Sequence, residues 1–272
     1  MVGLFQVLWG KPGGLFVRFK PAQVLEGTDG KPLVIKPPNG NERREIICTR
    51  PFAVDWNRDG HLDLVVGNSA GTFYLFRGEG KGRFVPGGEP MLAAGGKRLA
   101  VSGRQSDPFC VDWDRDGDLD ILSGAAGGGI YLSENVARRG APPRMTPFRF
   151  LVRPPRSVRA PTWNVKELKG PMSNTRVWVD DVNGDGKLDI LVGDTVTFYI
   201  PAQGFTVAEA RKRLKNWEQE HMRMFSVKRK LDAARDKSKL AQLGKEMGAH
   251  SLLRKKILKQ GRTGFVWVYL GK

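Results

Sequence analysis

The sequence predicts a mainly β fold of repeated antiparallel sheets, interrupted near the C-terminus by a basic helical insertion. Three observations predict it: an acidic motif that occurs three times, a strand-and-turn pattern around each copy, and a change to helical spacing after residue 204. The copies read PFAVDWNRDGHLDLVVG from Pro51, PFCVDWDRDGDLDILSG from Pro108 and RVWVDDVNGDGKLDILVG from Arg176. Their first aspartates, Asp55, Asp112 and Asp181, lie 57 and 69 residues apart. A self-similar unit at that period is the mark of a repeat architecture.

Each copy has the same surroundings. A short apolar strand leads in, the acidic loop follows, and a strand rich in Leu, Ile and Val leaves, over Leu62–Val66, Leu119–Leu122 and Leu188–Val192. A glycine-rich turn then opens a further strand, Thr72–Phe76 or Gly129–Leu132. The opening of the chain, LFQVLWGKPGGLFVRFK, parallels TFYLFRGEGKGRFV, so Met1 is expected to begin in mid-unit. Four-stranded sheets at a period near 60 residues, arranged radially, make a β-propeller. The expectation is a partial β-propeller over 1–204, with blades near 1–50, 51–107, 108–175 and 176–204. About three and a half blades are fewer than a closed ring needs, so further chain or another subunit is expected to complete it.

After residue 204 the pattern changes. Thr206 and Glu209 form a capping box. Val207, Ala210, Leu214 and Trp217 recur at helical spacing, and Leu231, Ala234, Leu253, Ile257 and Leu258 carry the pattern on. Gly244 and Gly248 read as breaks, giving an αα-hairpin or bent helix pair over 205–262. Residues 263–272 then supply the returning strand of the last blade.

Composition narrows the function classes. The chain of 272 residues is long enough for a substantial core. It holds no apolar run of about 18 residues that would span a membrane as a helix. The first residues lack a charged n-region, and Gln6 and Gly10 break their apolar stretch, so they do not read as an export signal. Net charge is +17, and residues 205–262 hold 17 Lys and Arg against 6 Asp and Glu. Nucleic acid or another polyanion is therefore a possible partner of the insert, with Lys228, Arg229, Lys230, Arg254, Lys255 and Lys256 as its densest clusters. Cys48 and Cys110 match no metal spacing and read as small buried apolar residues; whether they are bridged is open. Trp56 and Trp113 read as packing between blades. The run from Gly67 to Gly71 matches G-x-S-x-G, but a strand follows where a hydrolase elbow needs a helix, which argues against catalysis by Ser69.

The acidic loops carry the chemistry. A hard divalent cation needs oxygen ligands at alternating loop positions, with a backbone carbonyl at the seventh. Copy one offers Asp55, Asn57, Asp59, the carbonyl of His61, and Asp63. Copy two offers Asp112, Asp114, Asp116, the carbonyl of Asp118, and Asp120, and copy three Asp181, Asn183, Asp185, the carbonyl of Lys187, and Asp189. Gly60, Gly117 and Gly186 take the sixth place, where the turn needs a positive φ. Two carboxylates about 4 Å apart repel by roughly 4 kcal/mol at an effective dielectric near 20. A bound Ca²⁺ reverses that sign, and Mg²⁺ asks for a stricter octahedron. A helical EF-hand would need a glutamate at the twelfth place, where the chain has Val66, Ser123 and Val192.

An aspartate at the ninth place leading straight into a Leu, Val and Ile strand that ends in glycine resembles the FG-GAP/VCBS repeat family, the calcium-binding propeller blades of integrin α-chains and many bacterial surface proteins. The resemblance covers residues 1 to about 200 and the final strand, leaving out the insert. It implies one Ca²⁺ per loop and a non-catalytic module that binds a glycan or a surface protein, as in adhesion, in an extracellular, cell-surface or periplasmic place. The rival expectation is a propeller-type polysaccharide lyase or hydrolase, in which Ca²⁺ would neutralise a uronate carboxylate; no acid–base constellation in the sequence marks it.

Overall fold

The computed structural model describes residues 6–7, 10–11, 18–19, 21–38, 43–138, 141–155 and 162–272. The chain divides into two compact units: residues 1–158, 169–195 and 264–272 form the first, and residues 159–168 and 196–263 the second.

The first unit is built from antiparallel sheets. Sheet I joins Arg50–Val54, Asp63–Gly67, Phe73–Phe76 and Glu89–Pro90 in chain order. Sheet II repeats the plan with Asp107–Val111, Asp120–Gly124, Ile130–Ser133 and Arg149–Val152. In sheet III the strand Ser173–Asp180 pairs with the long strand Asp189–Pro201, whose residues 190–193 also pair with Val266–Tyr269. The opening half-unit expected in the first 20 residues lies largely outside the described residues, although Gln6–Val7 pairs with Gln23–Val24, and Gly10–Lys11 with Arg18–Phe19.

Alternation along the central strands decides the packing, because successive side chains point to opposite faces. Leu64 and Val66 enter one core with Leu33, Tyr74 and Phe76, while Val65 between them enters another with Phe73, Cys110 and Ile121. Sheet II repeats this: Ile121 packs toward sheet I, and Leu122 joins Ile130, Val179 and Ile190 in the core shared with sheet III. Burial on both faces explains why these strands are continuous apolar runs. In sheets I and II the glycine ending the central strand is required by the chain that follows. A Cβ on Gly67 would lie 2.4 Å from the Ser106 carbonyl, and one on Gly124 only 1.9 Å from that of Thr175. Trp56 is buried in the core between sheets I and II, and Trp113 packs in the core between II and III.

In the second unit, residues 196–201 of the long strand pair with Leu258–Thr263. Between them lie α1, Val207–Ala233, and α2, Lys237–Ile257. Thr206 and Glu209 form the capping box at the start of α1. Trp163, Ala210, Leu214 and Leu258 make the buried core. The Trp217 indole donates to the His250 carbonyl at 2.8 Å, and the two rings stack at 5.0 Å, which ties α1 to α2. The expected breaks at Gly244 and Gly248 do not occur; both lie inside α2. The chain turns instead at Arg235, in the left-handed region at φ 56°, and Asp236 caps α2 by accepting from the Lys239 N–H at 3.0 Å. A glycine costs a helix only about 1 kcal/mol relative to alanine, less than a good cap and two packed neighbours return.

Both cysteines are free. Cys110 is buried as expected, but Cys48 is exposed; it stands in a left-handed turn at φ 54°, outside the sheet whose core would have taken it. The turn at Asn68–Gly71 leads into a strand and so lacks the helix of a hydrolase elbow.

Candidate metal centres

Each acidic loop joins the first two strands of its sheet, and all three have the same wiring. The sixth-place glycine N–H donates to the first aspartate: Gly60 to Asp55 at 3.0 Å, Gly117 to Asp112 at 3.1 Å, and Gly186 to Asp181 at 2.8 Å. The fifth-place N–H reaches back to the third side chain: Asp59 to Asn57 at 3.0 Å, Asp116 to Asp114 at 3.2 Å, and Asp185 to Asn183 at 2.9 Å. The seventh-place N–H closes on the fifth carboxylate, from His61, Asp118 and Lys187 at 2.8, 3.0 and 2.9 Å. Gly60, Gly117 and Gly186 stand at φ 85°, 95° and 82°, where a side chain would be strained. The repeated sequence thus folds as a repeated loop that turns its oxygens inward.

Loop two gathers acid most closely. One carboxylate oxygen from each of Asp112, Asp114 and Asp116 lies within 4.8 Å of the others. Asp112 Oδ1 and Asp118 Oδ1 are buried with no hydrogen-bond partner. Orphaned buried carboxylate oxygens are costly unless something positive meets them. An all-oxygen donor set with such orphans fits a hard cation, and Asp112, Asp114 and Asp116 are the side chains that would hold it. In loops one and three the third place is an amide that spans the cluster itself, Asn57 Nδ2 donating to Asp59 at 2.8 Å and Asn183 Nδ2 to Asp185 at 3.3 Å. The bond from Asn57 holds the Asp59 carboxyl below its usual range.

The ninth-place aspartates do something the sequence did not disclose. Asp63, Asp120 and Asp189 are fully buried. One oxygen of each accepts the second-place N–H, from Trp56, Trp113 or Val182 at 3.0, 2.9 and 3.0 Å. The other accepts an N–H just beyond the third strand, from Gly78, Asn135 or Gly271 at 2.7, 2.8 and 2.8 Å. Each is therefore a latch between the loop and the end of its sheet. A second addition is Asp118, expected to offer only its carbonyl, whose carboxyl feels the negative charges of Asp116, Asp114 and Asp112 and has a buried oxygen without a hydrogen-bond partner. The sequence signal for it is simply an acid at the seventh place, where the other loops carry His61 and Lys187.

Desolvation, then repulsion by Asp116 and Asp114, pushes the Asp118 carboxyl up to about 6, and desolvation does the same to Asp120 against its two N–H donors. A carboxyl raised on folding binds more protons folded than unfolded between its ordinary value and the raised one. Stability of the metal-free protein therefore falls as pH rises through that window, from about 4 to about 6. Thermal melts with chelator should give a lower melting temperature at pH 7.5 than at pH near 5, with that difference shrinking or inverting in excess calcium.

Among the described residues no helix is long and apolar enough to cross a membrane. No match to a curated protein was found for this chain. The model of the FG-GAP-like repeat family matches residues 55–134, from the first aspartate of loop one through loop two and the strand after it. That stretch, in which sheets I and II repeat one plan and each loop closes with a glycine N–H donating to its first aspartate, is similar to the FG-GAP-like repeat family.

Proposed function

We propose that this chain is a non-catalytic, calcium-binding propeller module whose ions fasten the loop of each blade and whose surface binds a glycan or a surface protein outside the cytoplasm. The observation that carries it is loop two, with three carboxylates converging within 4.8 Å and two buried oxygens without partners. The radial arrangement is supported by sheets that pack in series through cores contributed by equivalent strands. Loops one and three take calcium more weakly, since each replaces one carboxylate with an amide. An extracellular place is in keeping with the likeness to FG-GAP-like repeats, since calcium modules there work at about 10⁻⁴ to 10⁻³ M, which millimolar calcium fills. Calorimetric titration of chelated protein should give one tighter and two weaker calcium sites, and Asp112→Ala should remove the tighter one. Retention of all heat in that variant would sink the assignment to loop two.

A second reading concerns the helical unit. Lys228, Arg229 and Lys230 are all exposed at the end of α1, and Lys255 and Lys256 are exposed at the end of α2. This supports polyanion binding by the insert, independent of calcium. The full chain should then be retained on heparin and elute earlier as salt rises. Replacing Lys228, Arg229 and Lys230 with Glu should abolish most of that retention; unchanged elution would dismiss the reading.

A further inference from the structure

Sheets I and II each bury the face that looks toward the following sheet, whereas the same face of sheet III is bare. Phe109 is 8% exposed, and Trp178, at the same place in sheet III, is 57% exposed. Leu132 pairs with Leu122 and is fully buried; Val268 pairs with Leu191 in the same way and is 53% exposed. The backbone tells the same story, because a Cβ on Gly124 would strike the next sheet while one on Gly193 meets nothing within 4 Å. Val266 and Leu270, 75% and 55% exposed, extend the patch along the outer strand. Four large apolar side chains side by side on one sheet face mark an interaction surface.

The charges on this face say what it fits. Arg176 and Asp180 lie two residues to either side of Trp178, so all three point to the same side of the strand. The Arg176 side chain is 61% exposed while one of its nitrogens reaches Asp107 at 3.3 Å, and Asp180 is exposed. In sheets I and II the place of Asp180 holds Val54 and Val111, which pack into the cores shared with the following sheet. A following sheet seated in the usual way would therefore set apolar surface against the Asp180 carboxylate, whose bond from the Asp181 N–H at 2.9 Å offsets only part of the cost of burying its charge. A second copy of the same face offers Arg176 instead.

We infer that the open face of sheet III is the contact of a two-fold dimer of this chain. The axis lies between the two sheets and crosses the strands at the level of Trp178, Leu191 and Val268, which the strand register places in one row. About that axis the row meets its own copy. Arg176 faces Asp180 of the second copy at both ends, and Val266 faces Leu270. Side chains this long span the roughly 10 Å between packed sheets, and a self-complementary patch is what an isologous contact requires.

Sedimentation velocity of the full chain should give a species of twice 30.2 kDa at about 100 µM. Asp180→Arg alone and Arg176→Asp alone each set like charges against each other and should weaken the dimer by ~10-fold or more. In an equimolar mixture of the two variants, the carboxylate introduced by Arg176→Asp in one chain meets the guanidinium introduced by Asp180→Arg in the other. The opposite end keeps its original pair, so the mixture should restore association to the wild-type level. Circular dichroism and melting show whether each variant folds. If Arg176→Asp does not, Val268→Glu replaces it and should be monomeric. A wild-type chain that stays monomeric overturns the inference, and so does a dimer indifferent to Asp180→Arg and Val268→Glu, or a mixture of folded single variants that fails to restore association.

Discussion

Calcium should raise the melting temperature of this protein by about 5–10 °C for each site held at a hundredfold excess over its Kd. The size follows from linkage: a ligand that binds only the folded state adds about 2.7 kcal/mol at that excess, and about 1 kcal/mol shifts the midpoint of a chain this large by roughly 2–4 °C. Loop two supplies the largest share, because its carboxylates from Asp112, Asp114 and Asp116 converge and its buried oxygens have no other partner. Asp116→Ala should therefore remove much of the calcium-dependent rise. In chelator the same variant should melt within a few degrees of wild type, since losing one hydrogen bond from the Asp118 N–H is offset by losing one repelling charge. Differential scanning calorimetry in calcium and in chelator reads both numbers. Equal calcium responses in wild type and variant would reduce loop two to a hydrogen-bonded turn.

The architecture was legible where local chemistry repeats. Asp55, Asp112 and Asp181 could be aligned by eye, and every bond from a sixth-place glycine to a first-place aspartate falls where that alignment puts it. The central strands were legible because burial on both faces leaves an unbroken apolar run. What could not be read depends on partners distant in the chain. Asp120 reads as a ligand position, and the bond that Asn135, fifteen residues on, donates to it is a further role that the local sequence does not show. Glu45 lies in an unremarkable stretch, yet it is buried and bonded to Arg98 and Thr72, both at 2.9 Å, and to the Tyr74 hydroxyl. Gly244 and Gly248 mislead for the converse reason: a local preference of about 1 kcal/mol yields to a helix capped by Asp236 and held at its far end through Trp217 and His250. Exposure of the sheet III face was likewise hidden, since Trp178 and Val268 are apolar like their buried equivalents Phe109 and Leu132.

The latch role separates cleanly from the ligand role in one variant. Asp120 is fully buried, and its two oxygens accept from Trp113 at 2.9 Å and Asn135 at 2.8 Å. Asp120→Ala leaves both N–H groups without partners inside the sheet, and an orphaned buried donor costs about 1–3 kcal/mol. The expected loss is thus about 2–6 kcal/mol, enough to lower the melting temperature by roughly 5–20 °C. Because the lost bonds join protein to protein, the drop should be nearly the same in calcium and in chelator, whereas the effect of Asp116→Ala shrinks to a few degrees in chelator. Asp120→Asn keeps one acceptor but turns an amide N–H₂ toward the other donor, so it should recover no more than about half of the loss. The equivalent changes at Asp63 and Asp189 should behave alike, since each joins its loop to the far end of its sheet by the same pair of bonds. A loss at Asp120 that appears only in calcium would make it a metal ligand first and a latch second.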